Sequence, residues 1–539
     1  MDACFSLAQH YHERTKYHPE TLAQQGRALD WSQQPEGFKI YQIGAVVDLK
    51  PYVEGSLVEV EAATLANPLL ARLSQFFLCS YGLTREIATP NGPLYLRAAP
   101  SAGGLYPAEI YLVSSGLGVD AQGRSLAAGV YSYQPHNHSL VRFWDEDRWP
   151  QLREACLWHP NLENTHLALV ITAMFERSAW RYQARAYRRI CLDTGHLLGN
   201  LELAAALVDF CPHLIGGFVD GAVNELLYLD GDLEGAIAVA ALADRLDIDQ
   251  NLPHLTTALA SPATAEFGSL EEDELLLALH QASQISAEFG ATLNWRKLPK
   301  STGFSCEPFI AGAAPKPPEP VADVVEDKYN FPFCDRLPLQ SEPIDWGRDL
   351  KGLRETMFQR RSTRAYSGAD LSLGDLQALL HFTYQPEAYL LQGLDEAPDY
   401  FDLGLVETFV AVSGVTGLDA GCYYYAPKAQ ELRQIRFKNF RRELHYLCLG
   451  QDLGRDAAAV LFHTADLKAA VEKYGDRAYR YLHLDAGHLG QRLNLAAIRL
   501  GLGVSGIAGF FDDQVNELLG IPEDEAVLYI TTLGRGRSR

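Results

Sequence analysis

Hydrophobic and polar residues alternate along this chain in two distinct patterns. One is typical of amphipathic helices, because its apolar residues are spaced by seven, four, three and four positions and share one helix face: Ile190, Leu197, Leu201, Ala204 and Val208. The other consists of short apolar runs, such as LALVITAMF from Leu167 and AVLYITTLG from Ala526, which indicate buried strands. The chain is therefore predicted to have an α+β fold.

The same order of predicted elements occurs twice. The long helices start with RAYRRICLDTGHLLGNLELAA at Arg185 and RAYRYLHLDAGHLGQRLNLAA at Arg477, 292 positions apart, and both contain the motif DxGH. Low-complexity sequence does not produce such a match, so we interpret the chain as a duplicated domain. Two similar domains in one chain are expected to pack as a pseudo-dimer. The other paired elements start at Leu70, Ala108, Val130, Leu167 and Ala236 in the first copy, and at Leu373, Val406, Cys422, Ala457 and Ala526 in the second.

The break between the copies is a segment rich in proline, alanine and acidic residues, from Pro308 to Phe333. It has neither a helical nor a strand period, which is typical of a linker. We predict an N-terminal extension (1–65), domain 1 (66–300), a linker (301–345) and domain 2 (346–539). The extension has no recognisable counterpart in the second half and is expected to pack on domain 1.

Composition narrows the class of protein. The net charge of −22 argues against nucleic acid and anionic membrane surfaces as partners, and no apolar run is long enough to span a membrane. The start of the chain lacks the apolar segment of a signal peptide. Nine cysteines without a CxxC motif are typical of reduced thiols. A cytoplasmic location is therefore expected.

Two segments carry candidate binding chemistry. Arg360, Arg361, Ser362 and Arg364 offer three guanidinium groups and a hydroxyl that suit a phosphate, and Arg535 follows the last predicted strand of domain 2. A solvated basic patch is the alternative. The loop Pro100–Tyr106 contains small residues that let backbone approach a flat ligand closely, although an ordinary glycine-proline loop would look the same.

Other patterns are set aside. GLGVSG at Gly501–Gly506 follows a predicted helix instead of a strand, so we interpret it as a helix-terminating segment and not as a dinucleotide-binding motif. His483, Asp485 and His488 lack the spacing of metal ligands, and His196 has no neighbouring ligand pair. No metal ligands are predicted.

Five segments, two of which overlap, together resemble the FMN-dependent nitroreductase superfamily, and most closely its SagB/ThcOx-type dehydrogenases, which oxidise azolines to azoles. They are PSAGGLYPAEIYLV from Pro100, RRSTRAY from Arg360, both RAYR…DxGH helices, and KYGDRAYR from Lys473. The resemblance implies two nitroreductase-like domains with FMN at their interface. It implies phosphate binding by Arg360, Arg361, Ser362, Arg364 and Arg535, and contact with the flavin ring by Pro100, Ser101, Ala102, Gly103, Gly506, Ile507, Ala508 and Gly509.

The mirror-image site has lost both motifs. The stretch that aligns with RRSTR is Leu57–Glu61, the residue that aligns with Arg535 is Asp244, and Asp399–Asp402 takes the place of Ser101–Gly104. Acidic residues would repel a phosphate, and bulky residues would crowd the ring. We therefore expect one FMN per chain.

The resemblance also implies an acid/base pair, matched by Lys473-Tyr474 in domain 2 and by Arg181-Tyr182 in domain 1. The candidate catalytic residues are Lys473, Tyr474 and Tyr182, although Lys473 could equally be a surface lysine, and sequence does not decide which pair faces the flavin. The expected substrate is a small or peptide-derived heterocycle, with oxygen or NAD(P)H as the redox partner. An NAD(P)H-dependent nitro- or quinone reductase and a non-catalytic flavin- or partner-binding protein are the alternatives.

Overall fold

The fold was analysed in a computed structural model that describes residues 5–22, 29–89, 92–116, 126–255, 257–290, 327–329 and 334–537. Residues 301–326 and 330–333 of the predicted linker lie outside this part of the chain.

The first half contains one seven-stranded β-sheet and a set of α-helices. Its main sheet has the strand order β1-β6-β5-β4-β7-β9-β8, with antiparallel pairing throughout, and β2 and β3 form a separate hairpin. The strands are β1 (Ala45–Asp48), β2 (Leu83–Thr89), β3 (Gly92–Arg97), β4 (Ala108–Ser114), β5 (Gly129–Gln134), β6 (Ser139–Trp144), β7 (Leu167–Met174), β8 (Phe210–Ile215) and β9 (Glu234–Asp244). The helices are α1 (Leu7–Arg14), α2 (Pro19–Leu22), α3 (Leu57–Ala66), α4 (Pro68–Tyr81), α5 (Trp149–Ala155), α6 (Asn161–Asn164), α7 (Phe175–Tyr182), α8 (Ala186–Ala206), α9 (Asp220–Leu226), α10 (Leu275–Ala282) and α11 (Ala287–Gly290).

The second half repeats this layout. Its main sheet has the order β10-β15-β14-β12-β16-β18-β17, and β11 and β13 form a small parallel pair. The strands are β10 (Arg336–Pro338), β11 (Leu371–Ser372), β12 (Glu407–Val412), β13 (Val415–Thr416), β14 (Gly421–Ala426), β15 (Glu431–Arg436), β16 (Ala459–Asp466), β17 (Gly503–Ile507) and β18 (Glu525–Gly534). The helices are α12 (Lys351–Gln359), α13 (Leu373–Tyr384), α14 (Arg441–Leu447), α15 (Asp452–Asp456), α16 (Leu467–Tyr474), α17 (Ala478–Arg499) and α18 (Asp512–Leu519).

The predicted α+β fold and its repeated elements are confirmed, since each predicted helix and strand has a counterpart at the expected place. The GLGVSG segment terminates α17 as predicted, with Gly501 at φ +71°, but its second half forms strand β17. The sequence did not reveal β17 because glycine and serine alternate with few apolar residues there. Among the described residues, no helix is both long and apolar enough to cross a membrane.

The two halves pack as the predicted pseudo-dimer, through the long helices α8 and α17. The glycines of the two DxGH motifs lie where these helices cross. A Cβ on Gly195 would lie 2.2 Å from the carbonyl oxygen of Leu484, and one on Gly487 would lie 2.3 Å from that of Leu192. The motif therefore requires glycine because the helix backbones touch at this point.

Buried ion pairs are exchanged between the halves. Asp512 of the second half accepts from Arg185 at 3.0 Å and from Arg188 at 2.7 Å. The equivalent Asp220 of the first half accepts from Arg477 at 2.7 Å and from Arg480 at 2.8 Å. The two arginines of each RAYR motif thus hold the opposite domain.

Helix α1 of the N-terminal extension has a structural counterpart in α10, which lies in the first half of the chain. Helix α1 leads to Thr15, whose Oγ1 accepts from Arg188, and α10 leads to Ser283, whose Oγ accepts from Arg480. Helix α10 therefore packs on the RAYR arginines of domain 2 as α1 packs on those of domain 1. In sequence, α10 lies within the predicted range of domain 1. The comparison of sequences missed it because the two helices share little sequence.

The substitution Asp512→Asn tests the exchanged ion pairs. It leaves two buried guanidinium groups without their carboxylate, so we expect the free energy of unfolding to fall by ~3–5 kcal/mol. Urea denaturation measures this loss. The control variant is Asp452→Asn, which removes an exposed carboxylate that pairs with Arg455 at 3.0 Å. Equal losses for the two variants would contradict a dominant role for the buried pairs.

Candidate functional site

Two cavities lie between the domains, related by the pseudo-twofold axis. The first cavity has a volume of about 370 Å³ and is lined by residues 100–104 of domain 1 together with Ser362, Arg364, Ser505, Gly506 and Ala508 of domain 2. Two segments that are far apart in sequence and were both predicted to bind one ligand therefore line the same cleft.

The glycine-rich loop is fixed by the aspartate of its own DxGH motif. Asp193 accepts from the Ser101 hydroxyl at 2.6 Å and from the backbone N–H of Ala102 at 3.0 Å. Gly103 has φ +67°, which only glycine adopts readily, and the Tyr182 hydroxyl lies 2.8 Å from where its Cβ would be. Burial raises the pKa of Asp193 to about 7, although these hydrogen bonds and Arg189 oppose the shift.

The predicted phosphate cluster divides into two roles. Ser362 and Arg364 line the first cavity. Arg360 instead donates to the carbonyl oxygens of Ala98 at 2.6 Å and Arg97 at 3.1 Å. Arg361 donates to the carbonyl oxygen of Thr84 in domain 1 at 3.2 Å. Arg360 therefore ties domain 2 to the base of the glycine-rich loop, and Arg361 ties it to strand β2.

Arg535 also departs from the predicted cluster. Its side chain is about half exposed and lies 3.3 Å from Asp375, outside the residues that line the first cavity. Of the segment Gly506–Gly509, Gly506 and Ala508 line the cavity, and Ile507 is buried in the sheet. A Cβ on Gly506 would lie 1.7 Å from the Tyr529 hydroxyl, so only glycine fits at this position of the cavity wall.

Two further arginines line the first cavity, and the motif comparison missed one of them, Arg189. Arg181 and Arg189 come from α7 and α8 of domain 1. The Arg189 guanidinium stacks over the Tyr182 ring at 3.9 Å, and its Nη1 atom is buried without a hydrogen-bond partner among the described residues. The signal was present in the sequence, because Arg189 is replaced by Tyr481 in the otherwise similar second motif.

The histidines of the two DxGH motifs have structural partners across the interface. His196 shares hydrogen bonds with Gln491 at 2.9 Å and Tyr529 at 2.8 Å, and burial lowers its pKa to about 4. His488 lies 3.2 Å from Glu202, which also accepts from Arg492. Both histidines therefore connect the domains.

The second cavity, with a volume of about 970 Å³, is lined by residues 397–404 and by Lys473 and Tyr474. Asp402 accepts from Lys473 at 2.5 Å and from the Tyr474 hydroxyl at 2.9 Å. The structure thus separates the predicted catalytic residues: Lys473 and Tyr474 lie at this cavity, whereas Tyr182 lies behind the glycine-rich loop of the first. Asp485 holds the loop here through the backbone N–H groups of Phe401 and Asp402, as Asp193 does in the first cavity.

The counterparts of the phosphate motif serve other purposes in the mirror position. The aligned stretch forms the start of α3, where Glu59 and Ser56 make a capping box. Asp244 pairs with Arg72 at 2.8 Å. None of the residues that line the second cavity is an arginine.

The geometry defines a class of protein: an α+β pseudo-dimer with a cationic, glycine-rich cleft at the domain interface. The nitroreductase family model matches residues 63–241 and 357–535, so the chain belongs to the nitroreductase family and is an oxidoreductase with two such domains in tandem. A crystal structure of a nitroreductase-type protein from Anabaena variabilis is 58% identical, with a TM-score of 0.88, over 99% of this chain and 100% of that one.

Two curated relatives each match about a third of the chain or less. The nitroreductase-type protein MJ1384 of Methanocaldococcus jannaschii is 31% identical over 171 residues, which is 32% of this chain and 85% of that protein. The microcin B17-processing protein McbC of Escherichia coli is 26% identical over 149 residues, 28% of this chain and 54% of that protein. The similarity to SagB-type dehydrogenases expected from the motifs is thereby confirmed.

The raised pKa of the loop-holding aspartates predicts a pH effect on stability. A carboxyl group with a folded pKa of about 7 stabilises the fold below its usual pKa near 4, and this contribution is lost as the pH rises through 7. We expect Asp193→Asn to flatten the decline in unfolding free energy between pH 5 and pH 8, by up to ~1.4 kcal/mol per pH unit. Urea unfolding at several pH values measures this. Asp485→Asn should act alike, and an unchanged slope in both variants would contradict the assignment.

Proposed function

We propose that the protein is an FMN-dependent oxidoreductase with its flavin in the first cavity. The observation that carries this proposal is the convergence of the glycine-rich loop of domain 1 with Ser362 and Arg364 of domain 2 around one narrow cleft. Family membership supports a flavin as the redox cofactor. The buried, unpaired Nη1 of Arg189 supports an anionic or polar ligand at the same place.

The donors fit the parts of FMN. Ser362 and Arg364 would hold the phosphate, because a hydroxyl and a guanidinium group donate strong hydrogen bonds to its oxygens. The backbone at Ser101–Gly103 and at Gly506 would meet the ring. Arg360 would act through the loop, since it fixes the base of the loop to domain 2. Arg361 donates to the carbonyl oxygen of Thr84 on β2. Arg535, which directly follows β18, remains a proposed outer phosphate ligand.

One flavin per chain is proposed. The second cavity contains the carboxylates of Asp399 and Asp402, and Tyr400 and Phe401 occupy the loop positions that correspond to small residues in the first cavity. Bound FMN would find no arginine there to hold its phosphate, and its negative charge would lie in the same cavity as both carboxylates. Such like-charge contacts cost on the order of 1 kcal/mol or more where they are partly buried.

Bound FMN would accept or donate hydride at its ring, while the protein supplies orientation and protons. Tyr182 is the proposed proton-transfer residue, because its hydroxyl lies against Gly103. Burial raises the pKa of Tyr182, so the hydroxyl stays protonated and can act as a donor. Arg181 takes the place of the lysine in the acid/base pair, and because a guanidinium group is a poor base it would contribute charge there.

Two substrate classes are supported by different observations. Similarity to McbC, a microcin B17-processing protein, supports a peptide-derived azoline oxidised to an azole. The arginine at position 181 leaves the lysine-tyrosine pair incomplete beside the first cavity, and this favours an NAD(P)H-dependent nitro- or quinone reductase as the second candidate.

Flavin content tests the location and number of sites. We expect purified protein reconstituted with FMN to hold about one flavin per chain by absorbance. Arg364→Gln should weaken FMN binding about tenfold or more, because it removes a charge-assisted hydrogen bond worth ~1.5–3 kcal/mol. Arg348→Gln, at an almost fully exposed arginine of domain 2, is the control. A ratio near two, or no FMN uptake at all, would contradict the proposal.

Paired tyrosine variants test which side carries the chemistry. Tyr182→Phe should lower turnover about 100-fold or more with little change in flavin content, because proton transfer by a positioned side chain contributes on that order. Tyr474→Phe, the pseudo-symmetric change at the second cavity, should retain turnover. The assays are NADPH-dependent reduction of a nitroaromatic or a quinone, and oxidation of an azoline-containing peptide. Loss of turnover in Tyr474→Phe alone would reverse the assignment.

A further inference from the structure

A group of metal-ligand side chains lies beside the second cavity, where three segments of the chain meet. His213 is on strand β8, His254 follows β9, and Asp399 is in the loop of domain 2. Among the described residues, these three offer ligand atoms that all lie within 4.8 Å of one another. The Nδ1 atom of His254 lies 3.0 Å from Asp399 Oδ1, and that of His213 lies 3.7 Å from Asp399 Oδ2.

The His213 side chain is the clearest sign of a ligand. Its side chain is 3% exposed, and its Nδ1 atom is buried without a hydrogen-bond partner among the described residues. Its nearest carboxylate oxygen is too distant for a normal hydrogen bond. A buried imidazole nitrogen that lies near a carboxylate and a second imidazole, with no close hydrogen-bond partner among the described residues, suits an ion placed between them.

The outer partners are also those of a metal site. His254 directs its other ring nitrogen, Nε2, toward Asp395 Oδ1 at 3.7 Å. Asp399 Oδ2 accepts from the backbone N–H of Leu214 at 2.9 Å, which fixes the carboxylate. Metal-ligating histidines commonly present their second nitrogen to a carboxylate, and ligating carboxylates are themselves hydrogen-bonded.

The position of the group follows from the pseudo-symmetry. His213 occupies in β8 the register position that Ser505 occupies in β17, since the residues pair with Ala241 of β9 and Thr532 of β18. Ser505 lines the first cavity, and Asp399 stands in the loop that replaces Ser101–Gly104. Two positions that line the first cavity as small residues therefore have an imidazole and a carboxylate group as their counterparts beside the second cavity.

We propose that His213, His254 and Asp399 bind a Zn²⁺ ion between the two domains. Two imidazole nitrogens and one carboxylate oxygen are a ligand set that zinc uses in sites with an open fourth position. His254 and Asp399 line the second cavity, so the open position faces this cavity and would hold water or a ligand atom. The site is independent of flavin binding in the first cavity.

Zinc binding to the chelator-treated full-length protein tests the site directly. Titration calorimetry with Zn²⁺ should give one site per chain, and Co²⁺ should produce visible absorption bands of a site with nitrogen and oxygen ligands. His254→Gln is the main variant, because this side chain is one-third exposed and its replacement spares the buried core. We expect His254→Gln and Asp399→Asn each to weaken Zn²⁺ binding by more than about 100-fold, and Asp395→Asn by about 10- to 100-fold.

His445→Gln is the control for surface binding, since this partly exposed histidine lies 3.5 Å from Asp452, far from the proposed site in sequence and outside its ligand set. It should leave the affinity and the cobalt spectrum unchanged. Circular dichroism establishes that each variant is folded. Failure of the wild-type protein to bind Zn²⁺ at equimolar concentration, or unchanged binding in His254→Gln, would overturn the proposal. Flavin content is measured on the same samples, so failure of one site is distinguishable from failure of the other.

Discussion

The exchange of buried ion pairs between the two halves is the constraint on which the rest of the structure depends. Asp220 and Asp512 each neutralise two arginines of the opposite RAYR motif, and every one of these side chains is nearly inaccessible to solvent. Burying six charged groups is unfavourable unless each is paired, so the two halves can dock closely only in the arrangement that pairs all six. Both inter-domain cavities exist because this pairing fixes α8 against α17.

The same helices also set the geometry of the ligand-facing loops. Asp193 and Asp485 lie two residues before the glycines at the helix crossing, and each holds the loop of its own domain through backbone N–H groups. Docking of the domains and positioning of the loops therefore depend on a single four-residue motif. This explains why DxGH is retained in both halves although the loops that it holds differ in chemistry.

The two cavities have diverged from one arrangement. The first combines small loop residues with Arg181, Arg189 and Arg364, whereas the second combines Asp399, Asp402 and bulky aromatic residues with Lys473. A duplication inside one chain permits this, because each half needs to supply only one side of each interface. The result is an asymmetric molecule with a cationic cleft on one side and an acidic, histidine-containing cavity on the other.

The sequence by itself determined the fold class, the duplication, the order of elements and the segments that meet at the first cavity, because periodicity and motif identity are local properties. It did not reveal that Arg360 and Arg361 bind carbonyl groups of domain 1, that Arg189 joins the cleft, or that Lys473 and Tyr474 lie at the opposite cavity. These depend on which surface each side chain faces once α8 and α17 have crossed. The same is true of His213, His254 and Asp399, which are separated by up to 186 positions in the chain and become neighbours only through tertiary contacts.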